Sequence, residues 1–369
     1  MKRQLLGVAA ILLSISTYAQ DNPLWMRYCA ISPDGTTIAF TYKGDIYTVP
    51  STGGRASQIT TNPAHDTKPI WSPDGKKIAF ASDRMGSMDI FEVNKEGGIP
   101  KRLTTHSGNE TPVAYKDAGH ILFLANIMPT AEDAQFPSEQ FQQVYEVNTE
   151  GGRPVLFSSM PMEDISINHT GNTLLYHDKK GYEDPWRKHH TSSITRDIWL
   201  CSLNGNRTFR KQTAFNGEDR TPVWASDDKS FYYLSEEKGS FNIFKRDIDG
   251  NTSKQITNHT KHPVRFLSAA SNGTLCYGYD GEIYTVKEGA IPQKVQISIV
   301  TDKNDKDLIR QIKRSGATEI SLSPDAKEIA FVLRGDVYVT STEYSTTKQI
   351  TNTPQQERDI HFSPDGRSI

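Results

Sequence analysis

Cysteine is scarce in this sequence: there are three in 369 residues, with no C-x-x-C pair. This excludes the paired-cysteine motifs of zinc ribbons and thioredoxin-type redox sites. Cys29, Cys201 and Cys276 each fall in a segment that we predict to be a strand. An oxidising compartment would permit one disulfide among them. Because their spacing is unpaired, we interpret all three as small, buried apolar side chains.

A surplus of charge of either sign is also missing. Lys and Arg number 42 against 44 acidic residues, and the net charge is −2. Proteins that bind nucleic acid need a basic surface that neutralises phosphates. We therefore do not expect nucleic acid among the partners.

Long apolar runs are confined to the N-terminus. Lys2 and Arg3 precede an apolar stretch over residues 5–15, and T-Y-A at 17–19 follows as a small-residue cleavage site. This pattern predicts a signal peptide over residues 1–19. The apolar stretch is shorter than the roughly 20 residues of a membrane helix, and no cysteine follows it to receive lipid. We expect an exported protein, periplasmic or secreted, with no membrane span after cleavage.

The sequence lacks the motifs of the common active sites. It contains no G-x-S-x-G, H-E-x-x-H, G-x-x-x-x-G-K-[ST] or G-x-G-x-x-G, which mark hydrolase elbows, zinc proteases and nucleotide sites. We therefore predict that no catalytic residue, metal site or cofactor site lies within these 369 residues.

One segment nevertheless combines residue types that bind ligands. W-R-K-H-H at 186–190 carries an indole, two cations and two imidazoles. Adjacent histidines point to different sides of an extended chain, and no third ligand stands at a useful spacing, so a metal site is not favoured. The segment is either a structural loop or a binding loop for peptide. The candidate substrate-binding residues are Trp186, Arg187, His189 and His190.

A repeated unit dominates the chain after the N-terminus. Residues 70–104 show it in full: S-P-D-G at 72–75, a strand-like run at 77–82, a second at 89–94, and G-G at 97–98. Pro and Gly set the dihedral angles of a tight turn, and Asp bonds back to its own backbone. Short β-rich runs between such turns predict four strands and three turns per unit.

Copies of this unit recur along the chain. Asp34 and Asp74 occupy the same turn position 40 residues apart, and weaker copies continue to Asn272 at about 48 residues per unit. Four-stranded propeller blades have this length. Six units precede residue 299, so we predict an all-β fold with a six-bladed β-propeller of four-stranded blades over residues 20–299.

Two further features define this predicted propeller. Proline in the first strand of several units fits an innermost strand whose missing N–H faces a central channel, and the aromatic that follows it (Trp71, Tyr115, Trp224) should wedge between blades. Insertions at 128–141 and 179–196 separate the second and third strands of the third and fourth units.

The sequence leaves open how the ring closes. Residues 295–299 could complete the sixth blade without help from residues 26–31, and packing alone would then hold the ring together.

The repeats restart after a charged segment. Residues 300–317 read as a linker with a helical turn, and S-P-D-A at 323–326 and S-P-D-G at 363–366 begin new units. A single blade cannot bury both of its faces. We therefore expect residues 318–369 to begin a second, truncated propeller, and the sequence to be the N-terminal fragment of a longer protein.

The repeat resembles the WD40-type units of TolB-like proteins and of the N-terminal region of tricorn-type peptidases. More particular stretches, N-P-L-W-M-R-Y-C at 22–29 and G-Y-E-D-P-W-R-K-H-H at 181–190, resemble exported tricorn-family serine peptidases of Bacteroidota. The resemblance implies a propeller that gates or channels oligopeptides toward a downstream core. It also implies that the PDZ and peptidase domains, with the catalytic residues, lie beyond Ile369.

Two alternatives to this interpretation stay open. The first is a non-enzymatic, TolB-like periplasmic propeller that binds proteins, and the second is a prolyl-oligopeptidase-type hydrolase. The expected partners are peptides or unfolded polypeptide and the C-terminal domains of the same chain. Peptide preference and assembly into a homo-oligomer are not determined by the sequence.

Overall fold

A computed structural model of the chain describes residues 23–127, 141–181, 186, 191–300, 313–344 and 346–369. The predicted signal peptide, most of the predicted linker with its helical turn, and most of the third-unit insertion lie outside these residues. The chain divides into two compact units, Met1–Thr301 and Asp302–Ile369. Among the described residues no helix is long and apolar enough to cross a membrane.

Six four-stranded antiparallel sheets form most of the described part of the first unit, and the strands of each sheet pair in chain order. Each sheet corresponds to one repeat of the sequence. The first three sheets are β1 (Arg27–Ile31), β2 (Thr37–Tyr42), β3 (Asp45–Pro50) and β5 (Ser57–Gln58); β6 (Asp66–Trp71), β7 (Lys77–Ser82), β8 (Asp89–Asn94) and β9 (Lys101–Arg102); and β10 (Glu110–Asp117), β11 (His120–Ala125), β12 (Gln143–Asn148) and β13 (Val155–Ser158). The next three are β14 (Met162–Ile167), β15 (Thr173–Asp178), β16 (Ile198–Ser202) and β17 (Thr208–Lys211); β18 (Asp219–Trp224), β19 (Ser230–Ser235), β20 (Asn242–Asp247) and β21 (Ser253–Gln255); and β22 (Arg265–Ala269), β23 (Leu275–Tyr279), β24 (Glu282–Val286) and β25 (Gln293–Lys294).

The hydrophobic core is divided among the interfaces between consecutive sheets. Each cluster draws on two neighbouring sheets: Phe80 and Ile46, for example, belong to one cluster that joins the first and second sheets. The series continues through the second to sixth sheets. A last cluster joins the sixth sheet to the first, through Cys276 and Cys29. The sheets therefore close into a ring, which confirms the predicted all-β propeller and explains why their middle strands are apolar on both faces.

The ring is closed by more than packing. The fourth strand of the sixth sheet is Gln293–Lys294, and the chain then leaves that sheet. β26 (Ile297–Ser298) pairs in parallel with β4 (Gly54–Arg55), which lies between β3 and β5 of the first unit of sequence. The sixth sheet is thus complete without a strand from residues 26–31, and its fourth strand lies slightly earlier than predicted, with Val295 N–H still donating to Ile283 O. The suggestion that packing alone holds the ring is wrong, because Ile297–Ser298 pairs with the first unit through its backbone, a contact that we call the clip.

The repeated turn residues have repeated roles in the structure. The Ser72 hydroxyl donates to Asp74 at 2.7 Å and accepts the amide of Lys77 at 2.9 Å, so it ties the turn to the next strand. The threonine of each Q-I-T-type segment accepts an amide of the third strand: the Thr104 hydroxyl accepts Ile90 N–H at 2.9 Å. Matching bonds recur at Thr60, Thr213, Thr257 and Thr351.

The aromatics of the inner strands wedge between sheets as predicted. Trp71 donates its indole N–H to Ala30 O of the first sheet at 2.9 Å, and Trp224 donates to Ser166 O of the fourth at 3.0 Å. The Tyr115 hydroxyl donates to Glu92 of the second sheet at 2.9 Å. The three cysteines are buried and free, as the unpaired spacing suggested.

The second unit contains one four-stranded sheet within its described residues. Its strands are β27 (Ala317–Leu322), β28 (Glu328–Leu333), β29 (Asp336–Ser341) and β30 (Thr347–Gln349). The last turn, at 363–366, repeats the hydrogen bond of a serine hydroxyl to the turn aspartate, from Ser363 to Asp365 at 2.6 Å.

Candidate functional site

The innermost strands of the six sheets surround a central space, which we call the channel. It holds a cavity of about 560 Å³ whose wall includes residues from the innermost strand of all six sheets. Ligand pockets commonly have volumes of roughly 300–1,000 Å³. One wall residue from each inner strand is, in order, Cys29, Ile70, Pro112, Ile165, Pro222 and Leu267.

Each inner strand carries a β-bulge where it passes this cavity. In five of the six described inner strands, one residue of the bulge has a left-handed backbone although it is not glycine. Bulges re-aim side chains and are frequent beside functional sites. We call these five residues the inner ring: Tyr28 (φ 52°), Lys68 (φ 53°), Asp164 (φ 48°), Thr221 (φ 49°) and Phe266 (φ 58°).

The third sheet is the exception. Its inner strand has a bulge between Pro112 and Ala114 and no left-handed residue. This strand is also one residue longer between its proline and its wedging aromatic. Two residues separate Pro112 from Tyr115, whereas one residue separates Pro69 from Trp71 in the second sheet. All five inner-ring side chains line the cavity.

The inner ring has an aromatic side and a polar side. The rings of Tyr28 and Phe266 pack with centroids 4.8 Å apart, and the Lys68 ammonium lies 5.8 Å from the centre of the Tyr28 ring. On the other side the Thr221 hydroxyl donates to Asp164 Oδ2 at 2.6 Å. The channel is therefore amphipathic at this level.

Lys68 is an unusual cation. None of the hydrogen bonds or ion pairs within the described ranges includes its ammonium group. Burial lowers the pKa of Lys68, and the nearby carboxylates of Asp164 and Glu163 oppose this shift only in part. Its contact with the Tyr28 ring uses none of the three N–H donors, so the ammonium can donate hydrogen bonds to an oxygen that enters the cavity.

An ion network supports the polar side. Glu163 contacts His177 Nε2 at 3.2 Å and Lys179 Nζ at 2.9 Å. Burial raises the pKa of Glu163, but the hydrogen bond from His177 and the charges of Lys179 and Arg196 outweigh burial and hold the pKa well below its ordinary value. Thr221 N–H donates to His177 Nδ1 at 3.3 Å, so Nε2 is the nitrogen that donates to Glu163.

The network continues into the fifth sheet. Arg196 Nη1 donates to Glu218 at 2.6 Å, and Arg220 also donates to Glu218. All three side chains are buried or nearly so. These buried ion pairs hold the cavity wall behind the inner ring in place. The polar groups of the inner ring itself face the cavity.

Trp186 reaches across one mouth of the channel. Its indole lies between the guanidinium groups of Arg27, at 4.9 Å, and Arg265, at 5.0 Å. Arg265 also donates to Trp186 O at 2.8 Å. Trp186 comes from the fourth sheet, while Arg27 and Arg265 belong to the first and sixth sheets on the far side of the ring.

The candidate residues from the sequence are thus only partly placed. Trp186 lies at the channel, whereas Arg187, His189 and His190 lie outside the described residues. Within the described ranges no group of three or more His, Cys, Asp or Glu side chains is arranged to hold a metal ion.

Sequence reasoning missed the inner ring. Its members stand four residues before the first turn residue of their units, so an alignment of the repeats would have put them in one column. That column holds aromatic, cationic, anionic and hydroxyl side chains directly before a column that is apolar throughout, and this contrast is the signal that was available.

Comparison with known proteins identifies the first unit. A model of the tricorn protease N-terminal beta propeller domain matches residues 23–290. Tricorn protease homolog 1 of Streptomyces coelicolor is 25% identical over 339 residues, which are 90% of this chain and 30% of that protein. The tricorn protease homolog of Saccharolobus solfataricus is 27% identical over 295 residues, 76% of this chain and 26% of that one.

A solved structure agrees with these relatives. The crystal structure of the tricorn protease superposes with a TM-score of 0.65 at 19% identity, covering 90% of this chain and 32% of that one. At this identity the superposition speaks for the fold alone. The chain spans about 30% of the length of these tricorn relatives.

Proposed function

We propose that this chain, which belongs to the tricorn protease N-terminal β-propeller family, admits extended oligopeptides through its central channel to a serine peptidase core. The observation that carries the proposal is the channel itself. All six inner strands contribute to one wall, and the wall combines apolar, cationic and anionic groups at a single level. Peptide bonds and mixed side chains need such an amphipathic surface.

The family match decides between the interpretations of the sequence. It spans residues 23–290, nearly the whole first unit. A TolB-like binding protein and a prolyl-oligopeptidase-type hydrolase are therefore not favoured. In our proposal the PDZ and peptidase domains follow this propeller region in the intact protein, and this region itself hydrolyses no peptide.

A pair of matched variants tests the channel. Thr111 lines the cavity, whereas Thr208 lies on the exposed outer strand β17. We expect Thr111→Phe to weaken binding of a fluorescein-labelled, unstructured decapeptide by about tenfold or more, a loss of roughly 1.4 kcal/mol. Thr208→Phe should bind as the wild type does. Fluorescence anisotropy with the 369-residue chain measures both, and equal affinities would refute a channel site.

The peptidase proposal needs a separate test. A fluorophosphonate probe reacts with activated serines, and we expect it to label the full-length gene product but not the 369-residue chain. Hydrolysis of a fluorogenic peptide by the 369-residue chain would refute the proposal that peptide hydrolysis takes place only in the domains that follow this region.

Export is a further proposal, supported by the pattern of residues 1–19. N-terminal sequencing of the protein from its native host should find a mature chain that begins near Gln20. A mature chain that retains Lys2 and Arg3 would refute export by a cleaved signal.

A further inference from the structure

We propose that the inner ring is the binding subsite of the channel and that it takes the main chain of an unfolded polypeptide beside an apolar side chain. Lys68 would donate to a peptide carbonyl, Asp164 would accept a peptide N–H, and Tyr28 and Phe266 would pack on the apolar side chain. The inference rests on the proposed function and names the chemistry of the ligand.

The repeated backbone strain is the first support. A left-handed conformation is unfavourable for a non-glycine residue, and the inner ring contains it five times. Its members differ in chemistry, so the shared feature is the backbone geometry that turns each side chain into the cavity. Strain of this kind persists where surrounding structure enforces it, often at ligand sites.

Free hydrogen-bonding capacity is the second support. The Lys68 ammonium has no hydrogen-bond or ion-pair partner within the described ranges, and Asp164 Oδ2 accepts its hydrogen bond from the Thr221 hydroxyl. Asp164 Oδ1 accepts no bond from the described residues. The ring therefore offers one strong donor and one strong acceptor.

The polypeptide backbone matches this pair. Every residue except proline carries one N–H donor and one C=O acceptor, whatever its side chain. Because the ring holds one cation and one anion, it has no overall preference for acidic or basic peptides. The packed rings of Tyr28 and Phe266 add an apolar surface, which favours Leu over Ser at the same peptide position.

Backbone recognition has a direct probe. We would compare a labelled Ala/Ser decapeptide that carries one central Leu with the same peptide in which the N–H of one central amide is replaced by an ester oxygen. A hydrogen bond to a charged group is worth roughly 10- to 100-fold in affinity. We expect the ester peptide to bind the wild-type chain about tenfold more weakly, and Asp164→Asn to reduce this difference.

The side-chain variants complete the test. We expect Lys68→Met and Asp164→Asn to weaken binding of the Leu peptide by about 10- to 100-fold, with unchanged unfolding midpoints. Lys68→Arg keeps the cation and should keep most of the affinity. Lys76→Met and Asp249→Asn alter exposed charges away from the cavity and serve as matched controls.

The outcomes separate this inference from the proposed function. If the wild-type chain binds the Leu peptide and both ring variants bind it equally well, the inner ring is not the subsite although the chain still binds peptide. If the wild-type chain binds neither peptide, the proposed function and the inference both fall. A loss that also occurs in the exposed-charge controls would contradict a specific ring site.

Discussion

The ring of Tyr28 packs against the ring of Phe266 with centroids 4.8 Å apart, although the two residues stand at opposite ends of the first unit. Tyr28 belongs to the first sheet and Phe266 to the sixth. Behind this contact, Met26 N–H donates to Gly281 O at 3.1 Å, and Ile31 N–H donates to Ser268 Oγ at 3.0 Å. The seam that closes the propeller thus forms part of the channel wall.

The clip at this seam makes a prediction about Gly53. A Cβ at Gly53 would lie 2.6 Å from Gln296 O, whereas at Gly97, the equivalent turn glycine of the second sheet, the nearest atom is 3.6 Å away. Both glycines have similar left-handed angles, φ 91° and 95°. We expect Gly53→Ala to lower the free energy of unfolding by about 2 kcal/mol more than Gly97→Ala does.

Tryptophan fluorescence during urea denaturation measures this difference. All five tryptophans precede residue 302, so the signal reports on the first unit alone. Equal losses for the two glycine variants would show that the clip adds nothing to the stability of the ring.

The repeated threonine makes a second prediction. Thr104 is buried and its hydroxyl accepts the amide of Ile90. Thr104→Val keeps the shape but leaves that buried N–H without an acceptor, so we expect a loss of about 1–3 kcal/mol. Thr104→Ser retains the hydroxyl and should lose less. Urea denaturation distinguishes them, and a valine variant as stable as the serine variant would contradict the assigned role.

Glu110 makes a prediction about pH. Burial raises the pKa of Glu110 to about 7, and the charge of Asp89 adds to the effect. The folded chain therefore holds a proton that the unfolded chain releases near pH 4.5, so stability is retained below that pH and falls as the pH rises to 7. The shift corresponds to about 3 kcal/mol.

Glu110→Gln removes this titration. We expect its unfolding free energy to depend less on pH between 4.5 and 7 and to exceed that of the wild type at pH 8. Glu96→Gln alters an exposed carboxylate and is the matched control. A wild-type pH slope in the Glu110 variant would contradict the buried, protonated carboxyl.

Trp186 makes a prediction about affinity. The indole stands at the channel mouth between two guanidinium groups and is 45% exposed. We expect Trp186→Ala to weaken binding of the labelled Leu decapeptide by about tenfold, because a half-exposed aromatic side chain at a mouth provides contact area. Trp25→Ala removes an indole that is 71% exposed and contacts Arg27 alone among the described cations, and it should bind nearly as the wild type does.

The sequence predicted most of the architecture because the repeats carry their own turn chemistry. Ser72 and Asp74 form the same bonds in the structure that their residue types suggest in the sequence. The clip could not be predicted in this way, because Ile297–Ser298 and Gly54–Arg55 are two-residue strands with no pattern of their own. The left-handed backbone at Lys68 has no local signal either, since it follows from the bulge that the ring imposes.

A photo-crosslinker in the channel tests the central claim most directly. p-Benzoylphenylalanine at position 111, on the channel wall, should form an adduct with the labelled Leu decapeptide, and an excess of unlabelled peptide should suppress it. The same crosslinker at position 208, on the outer strand, should form almost none. Adducts from position 208 alone, or in equal yield from both positions, would contradict a channel that receives polypeptide.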